Sequence, residues 1–145
     1  MQEIILAIGL PGAGKSTYFA KRGIRPLSSD HMRELLLDDP TDQTNHALVF
    51  SALRDLILAR LKLGRRRTYV DATSLTLRDR RPYITLARRW GAHVHAILFD
   101  VPLHTCLARN RRRARLFTAI AEARAIAEDR YEFLWSSIRF HPARA

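Results

Sequence analysis

The sequence predicts an α/β fold of three layers, with a central parallel sheet covered on both faces by helices. Three observations carry this reading. Short apolar runs alternate with longer stretches of helical spacing, a glycine-rich loop joins the first run to the first helical stretch, and Gly23, Gly64 and Gly91 each stand where a helical pattern stops. Strands that alternate with helices build parallel sheets with helical crossovers. Ligands then bind just beyond the carboxyl ends of the strands.

The elements follow in order. Ile4-Ile5-Leu6-Ala7-Ile8 is the first strand, and Gly9-Leu10-Pro11-Gly12-Ala13-Gly14-Lys15-Ser16-Thr17 follows it directly. This fits GxxxxGK[ST], the phosphate-binding loop, or P-loop. Its glycines reach positive φ and turn backbone N–H groups around phosphate oxygens. A helix over 15–22 then adds its dipole and free N–H groups to the attraction. Gly12, Ala13, Gly14, Lys15, Ser16 and Thr17 are the expected nucleotide contacts, Lys15 reaching the β/γ-phosphates and the Ser16 hydroxyl reaching Mg²⁺.

Residues 24–29 read as a second strand and 30–37 as a helix capped by Ser29 or Asp30. A helix over about 44–63 has Val49, Leu53, Leu56 and Ile57 at near-helical spacing and stops at Gly64. Residues 68–71 form the third strand. Thr76 with Asp79 three residues on resembles a capping box for a helix over about 77–90, near enough to its start that Pro82 removes little. A buried strand over 93–99, a helix from 103 to about 113 and a last helix over about 118–135 complete the chain. Residues just past the strands, Gly9 to Ser16, Asp30, Asp71 to Ser74 and Asp100, should converge on one crevice.

At 145 residues the chain suits a single domain, 1–145, with a proper core. It has no apolar run long enough to span a bilayer and no basic, apolar leader, so a cytoplasmic location away from membranes is expected. Cys106 is the lone cysteine, which excludes an internal disulfide and any multi-cysteine metal site and suits a small core residue. Lys+Arg number 25 against 14 Asp+Glu, a net charge of +11, and only Lys15, Lys21 and Lys62 are lysines. Guanidinium forks match phosphate oxygens, so this balance favours a polyanionic partner.

Four clusters carry the chemistry. Asp30 and Arg33 put a carboxylate at a strand end and a guanidinium one helical turn later on the same face. Asp30 either accepts the proton of an attacking hydroxyl or merely caps its helix. Asp71, beside Thr73 and Ser74, either holds Mg²⁺ through water or closes a structural turn. Arg109 and Arg113 lie four apart on one helical face within Arg-Asn-Arg-Arg-Arg-Ala-Arg. Like charges at that spacing repel, so the pair is either a lid over a triphosphate or a solvated basic face. His93 and His95 alternate on a strand with no third ligand in step and read as structural. Trp90, Tyr131, Phe133 and Trp135 flank helix ends and read as packing rather than base-stacking platforms.

Taken together, GLPGAGKST, SSDHMR, VDATS and CLARNRRR occur in the order and spacing of one family. The chain resembles the kinase domain of polynucleotide 5′-hydroxyl kinases of the phage and bacterial RNA-repair type, over nearly its whole length. The resemblance implies a P-loop NTPase-type fold with an arginine-bearing helical lid over about 109–120, and transfer of the γ-phosphate of ATP or another NTP to the 5′-OH end of RNA or DNA. It implies Asp30 as general base, Arg33 on the acceptor's terminal phosphodiester, and Lys15 and Ser16 on the triphosphate and Mg²⁺. It also implies Arg109 and Arg113 on the donor phosphates and Asp71 on the metal or acceptor side, where Thr73 is a candidate substrate contact. The chain departs from the family pattern at Ser74, where Asn is usual, and at Leu116-Phe117, where the lid usually continues as Arg-Val-Pro.

Two rivals stand beside this expectation. One is a small-molecule P-loop kinase acting on a sugar acid, an antibiotic or a peptidoglycan precursor. The other is a nucleotide-dependent module that holds nucleic acid without modifying it. The sequence leaves open RNA against DNA, a homodimer, and a separate phosphatase or ligase acting in trans.

Overall fold

The computed structural model describes residues 1–72, 76–111 and 139–142. Its elements are β1 (Glu3–Ile8), α1 (Lys15–Lys21), β2 (Leu27–Ser28), α2 (Ser29–Leu37), α3 (His46–Lys62), β3 (Arg67–Asp71), α4 (Leu77–Arg89), β4 (His93–Leu98), α5 (Leu103–Arg111) and β5 (Arg139–Pro142). The strands form one parallel sheet in the order β2-β3-β1-β4-β5. β1 is central, with Glu3 in register with Arg67 on one side and His93 on the other. The chain leaves β1 toward β2 but later crosses from β3 past β1 to β4. Right-handed crossovers therefore place α1 and α4 on opposite faces of the sheet, and β1 marks the switch point where a crevice opens.

β1 is buried along nearly its whole length, as expected of a strand covered on both faces. Phe19 of α1 and Tyr83, Ile84 and Ala87 of α4 join its side chains in one core with Leu53, Ile57 and Leu61 of α3. Leu56, expected on the inner face of α3, is 41% exposed. The buried stripe of that helix is Val49, Leu53, Ile57 and Leu61, a spacing of four that leaves Leu56 on the flank.

Gly23, Gly64 and Gly91 each adopt positive φ just beyond the helices they close. The Thr76–Asp79 capping box is present, and α4 runs on through Pro82. Other boundaries differ from the sequence reading. β2 shrinks to two residues because Pro26 offers no N–H to a ladder. The cap of α2 is neither Ser29 nor Asp30 but Ser28, which stays extended while its Oγ accepts from the His31 N–H at 3.3 Å. α3 begins at His46, after Asn45 in the left-handed region at φ 53°. β5 was not anticipated; it pairs with β4 from His95–Arg139 to Leu98–Pro142. Thr73, Ser74, Arg113, Leu116, Phe117, the lid beyond Arg111 and the expected helix over 118–135 lie outside the described residues.

Candidate active site

The loop between β1 and α1 is shaped by its glycines in two ways. Gly12 and Gly14 adopt φ of +85° and +92°, where an L side chain is strained. Gly9 does not take positive φ. It is needed because a Cβ there would stand 2.9 Å from Phe99 Cβ, just past β4, so its reason is close approach between neighbouring strand ends. Tyr18 on α1 packs edge-on against the same Phe99 ring, with centroids 5.2 Å apart.

Lys15 is buried and its Nζ donates to the carbonyls of Gly9 at 2.6 Å and Leu10 at 3.1 Å. The ammonium is thereby held at the mouth of the loop. Ser16 Oγ donates to Asp71 Oδ2 at 2.9 Å, joining the P-loop to the end of β3. Burial pushes the Asp71 carboxyl above its ordinary value, the Lys15 charge and the Ser16 hydrogen bond pull it down, and the nearby Asp30 charge pushes it up. Lys15, Ser16, Asp30 and Asp71 thus share one electrostatic neighbourhood at the carboxyl ends of β1, β2 and β3.

Ser16 Oγ and Asp71 Oδ2 form a hard-oxygen donor set beside Lys15, which fits Mg²⁺ bound mainly by water and phosphate oxygens. Among the described residues no group of three or more His, Cys, Asp or Glu could hold a metal by itself. His93 and His95 lie with ring centroids 6.4 Å apart, and His95 Nε2 is 3.6 Å from Glu3 Oε1.

On α2, Arg33 Nη1 donates to Asp30 Oδ1 at 3.1 Å. The two differ in exposure, the side chain of Arg33 at 6% and that of Asp30 at 42%. The carboxylate is therefore open to solvent and close enough to Asp71 for its charge to act there, while the guanidinium is buried behind it. Two helices must dock to bury Arg33, whose Cζ lies 5.8 Å from the Phe50 ring centroid on α3.

α5 closes the other side of the loop. Arg109 Nη1 donates to the Gly12 carbonyl at 2.9 Å. A Cβ at Gly14 would meet the same Nη1 at 4.0 Å, so the guanidinium stands over the loop. Next to it, Asn110 is 1% exposed and its Nδ2 donates to the Pro11 carbonyl at 2.7 Å. In the sequence Asn110 stands out only as an uncharged amide inside an arginine run, and nothing local marks it as buried or as a contact of the loop. Cys106 is buried beneath, its thiol pushed up by burial against the pull of Arg109 and Lys15, which keeps it protonated. Trp90 lies at the far end of α4 and is 42% exposed.

The profile of a family described as an AAA domain matches residues 4–134. No curated protein matches the sequence. Solved structures share its fold. A chain of the Pnkp1/Rnl/Hen1 RNA repair complex superposes with a TM-score of 0.69 at 20% identity, over 88% of this chain and 45% of that one. This chain therefore spans less than half of that protein's length. Shikimate kinase from Acinetobacter baumannii, solved with shikimate, gives 0.60 at 15% identity, over 100% of this chain and 84% of that one. APS kinase CysC from Mycobacterium tuberculosis, solved with AMPPNP and APS, gives 0.54 at 23% identity, over 86% and 74%. These likenesses establish an α/β fold of P-loop kinase type. Among the described residues no helix is long and apolar enough to cross a membrane.

Proposed function

The chain belongs to the AAA domain family, and from that premise we propose that it is an ATP- and Mg²⁺-dependent polynucleotide 5′-hydroxyl kinase domain with an arginine lid over about 109–120. The observation that carries the reading is the Asp30–Arg33 pair, an exposed carboxylate braced by a buried guanidinium, in the electrostatic neighbourhood of Lys15, Ser16 and Asp71. An acceptor that offers a hydroxyl next to a phosphodiester uses both members of that pair. The RNA repair complex among the structural neighbours and the net charge of +11 support such an acceptor.

In the proposed reaction the P-loop N–H groups and Lys15 bind the β- and γ-phosphates of the donor. Asp30 accepts the proton of the 5′-hydroxyl as its oxygen attacks the γ-phosphorus. The new O–P bond forms as the bond to the β,γ-bridging oxygen breaks, and ADP leaves. Arg33 would orient the acceptor through its first phosphodiester. Arg109, already over the loop, and Arg113 would offset the charge that builds on the transferring group. Ser16, with Asp71 acting through water, would hold Mg²⁺, which when bound neutralises charge on the donor phosphates, and Thr73 would contact the acceptor with Asp71.

Transfer of γ-phosphate label to a panel of 5′-OH RNA and DNA oligonucleotides tests the activity. Loss of a general base costs about 10²–10⁴ in rate, so Asp30→Ala should lose at least about a hundredfold while still binding ATP. Turnover within about tenfold of wild type would remove Asp30 from the role. The shikimate and APS kinases among the structural neighbours favour a second reading, a small-molecule kinase. An unlabelled 5′-OH oligonucleotide that fails to compete for phosphorylation of a small acceptor would favour it.

A further inference from the structure

A run of planar side chains leads from Arg33 onto α3. The Arg33 guanidinium carbon lies 5.8 Å from the centroid of the Phe50 ring, and the His46 ring lies 4.4 Å from the same ring with the two planes 32° apart. The three differ in exposure. Arg33 is buried, Phe50 half-buried and His46 exposed, so the run passes from the interior beside Asp30 to the surface. Arg33 Nη1 is engaged by Asp30, while its buried Nε has no partner among the described residues.

His46 and Phe50 are four apart on α3, a spacing that stabilises a helix by itself. Helix stabilisation does not account for the guanidinium at the other end of the run. The position of His46 also suits an uncharged ring. Desolvation and the Arg33 charge both lower its pKa, with Asp79 pulling the other way, so the imidazole adds no second cation beside Arg33 near neutral pH. A neutral, exposed ring that reaches, through Phe50, the guanidinium proposed above for a phosphodiester would suit an acceptor that carries a flat heterocycle next to that group.

We propose that His46 and Phe50 form a stacking subsite for a nucleobase of the acceptor strand, adjoining the phosphodiester that Arg33 would hold. The subsite rests on the polynucleotide reading above and deepens it. An acceptor built of saturated carbons has no π-face to place there, so the subsite selects nucleic acid ends over sugar-like hydroxyls. Because every base has a π-face, it tolerates sequence while requiring a base.

The test compares 5′-OH oligonucleotides with all bases present against the same oligonucleotides made abasic at the first or the second nucleotide. Wild type, His46→Ala and Phe50→Leu are assayed with each, the leucine keeping the apolar volume that Phe50 contributes beside the core. For wild type, KM should rise about tenfold when one of these bases is removed. His46→Ala should raise KM for the intact strand by a similar factor, with the change in KM rather than kcat, and should no longer distinguish intact from abasic strands. A purely structural role for the pair would not erase that distinction. If wild type phosphorylates abasic and intact ends equally, or His46→Ala still discriminates, the subsite is wrong and the kinase reading stands. If wild type labels no 5′-OH oligonucleotide at all, the polynucleotide reading fails and the subsite falls with it.

Discussion

Replacing Gly12 by alanine tests how tightly α5 packs on the phosphate loop. The new Cβ would stand 2.8 Å from the Cys106 carbonyl oxygen and 3.0 Å from Asn110 Oδ1, at a backbone φ of +85°. The left-handed backbone alone costs an L-residue about 1–2 kcal/mol. Overpacking against two groups fixed in a helix adds about 1–3 kcal/mol. Alternatively the loop shifts outward and gives up the Arg109–Gly12 and Asn110–Pro11 hydrogen bonds, at about 0.5–1.5 kcal/mol each. Either route places Gly12→Ala about 2–5 kcal/mol below wild type. Two controls isolate the steric part. Gly14→Ala shares the strain at φ +92° but meets nothing nearer than Arg109 Nη1 at 4.0 Å, and Gly23→Ala at φ +64° meets nothing within 4 Å. Both should lose only the backbone share, about 1–2 kcal/mol. Urea unfolding, with midpoints compared at a common m-value, measures all three. If Gly12→Ala proves no less stable than its two controls, the close seating of α5 on the loop is refuted.

Further outcomes follow from the buried polar groups. Burial raises the Asp71 carboxyl above its ordinary value of 3.8, so the folded protein holds that proton more tightly than the unfolded chain does. The stability linked to it is fully present below the unfolded value and is lost as the pH rises through the raised folded value. Asp71→Asn should therefore melt at or above the wild-type temperature at neutral pH, with the difference closing in acid; thermal unfolding across that range checks the sign, and a lower melting temperature at neutral pH would contradict it. Tyr83 is buried with its pKa pushed up to about 12, and its hydroxyl has no hydrogen-bond partner among the described residues. Tyr83→Phe should then be neutral or stabilising by up to about 1 kcal/mol in the same urea assay. A clear loss of stability would reveal a partner for the hydroxyl.

Much of the architecture was legible because its signals are local. GxxxxGK[ST] after an apolar run is a strand, a turn and a helix within fourteen consecutive residues, 4–17. The Thr76–Asp79 box and the helix-ending glycines are likewise written in neighbouring residues and reappear in the structure. The boundaries were less legible. Ser28, Ser29 and Asp30 are all good capping residues, and the choice among them was made when Ser28 joined β2 and took the extended backbone a cap requires.

What the sequence determined by itself is the phosphate loop, the alternation of strands and helices, and the list of residues beyond the strand ends. These depend on short-range propensity, capping and periodicity, which are properties of a few adjacent residues. The tertiary structure alone decided the pairing of β4 with β5, the reason for Gly9, the clasp of Asn110 on Pro11, and the inward placement of Arg33 against Phe50. Each of these depends on two segments distant in sequence meeting at a contact distance. That meeting is set by packing of the whole core, and no local pattern encodes it.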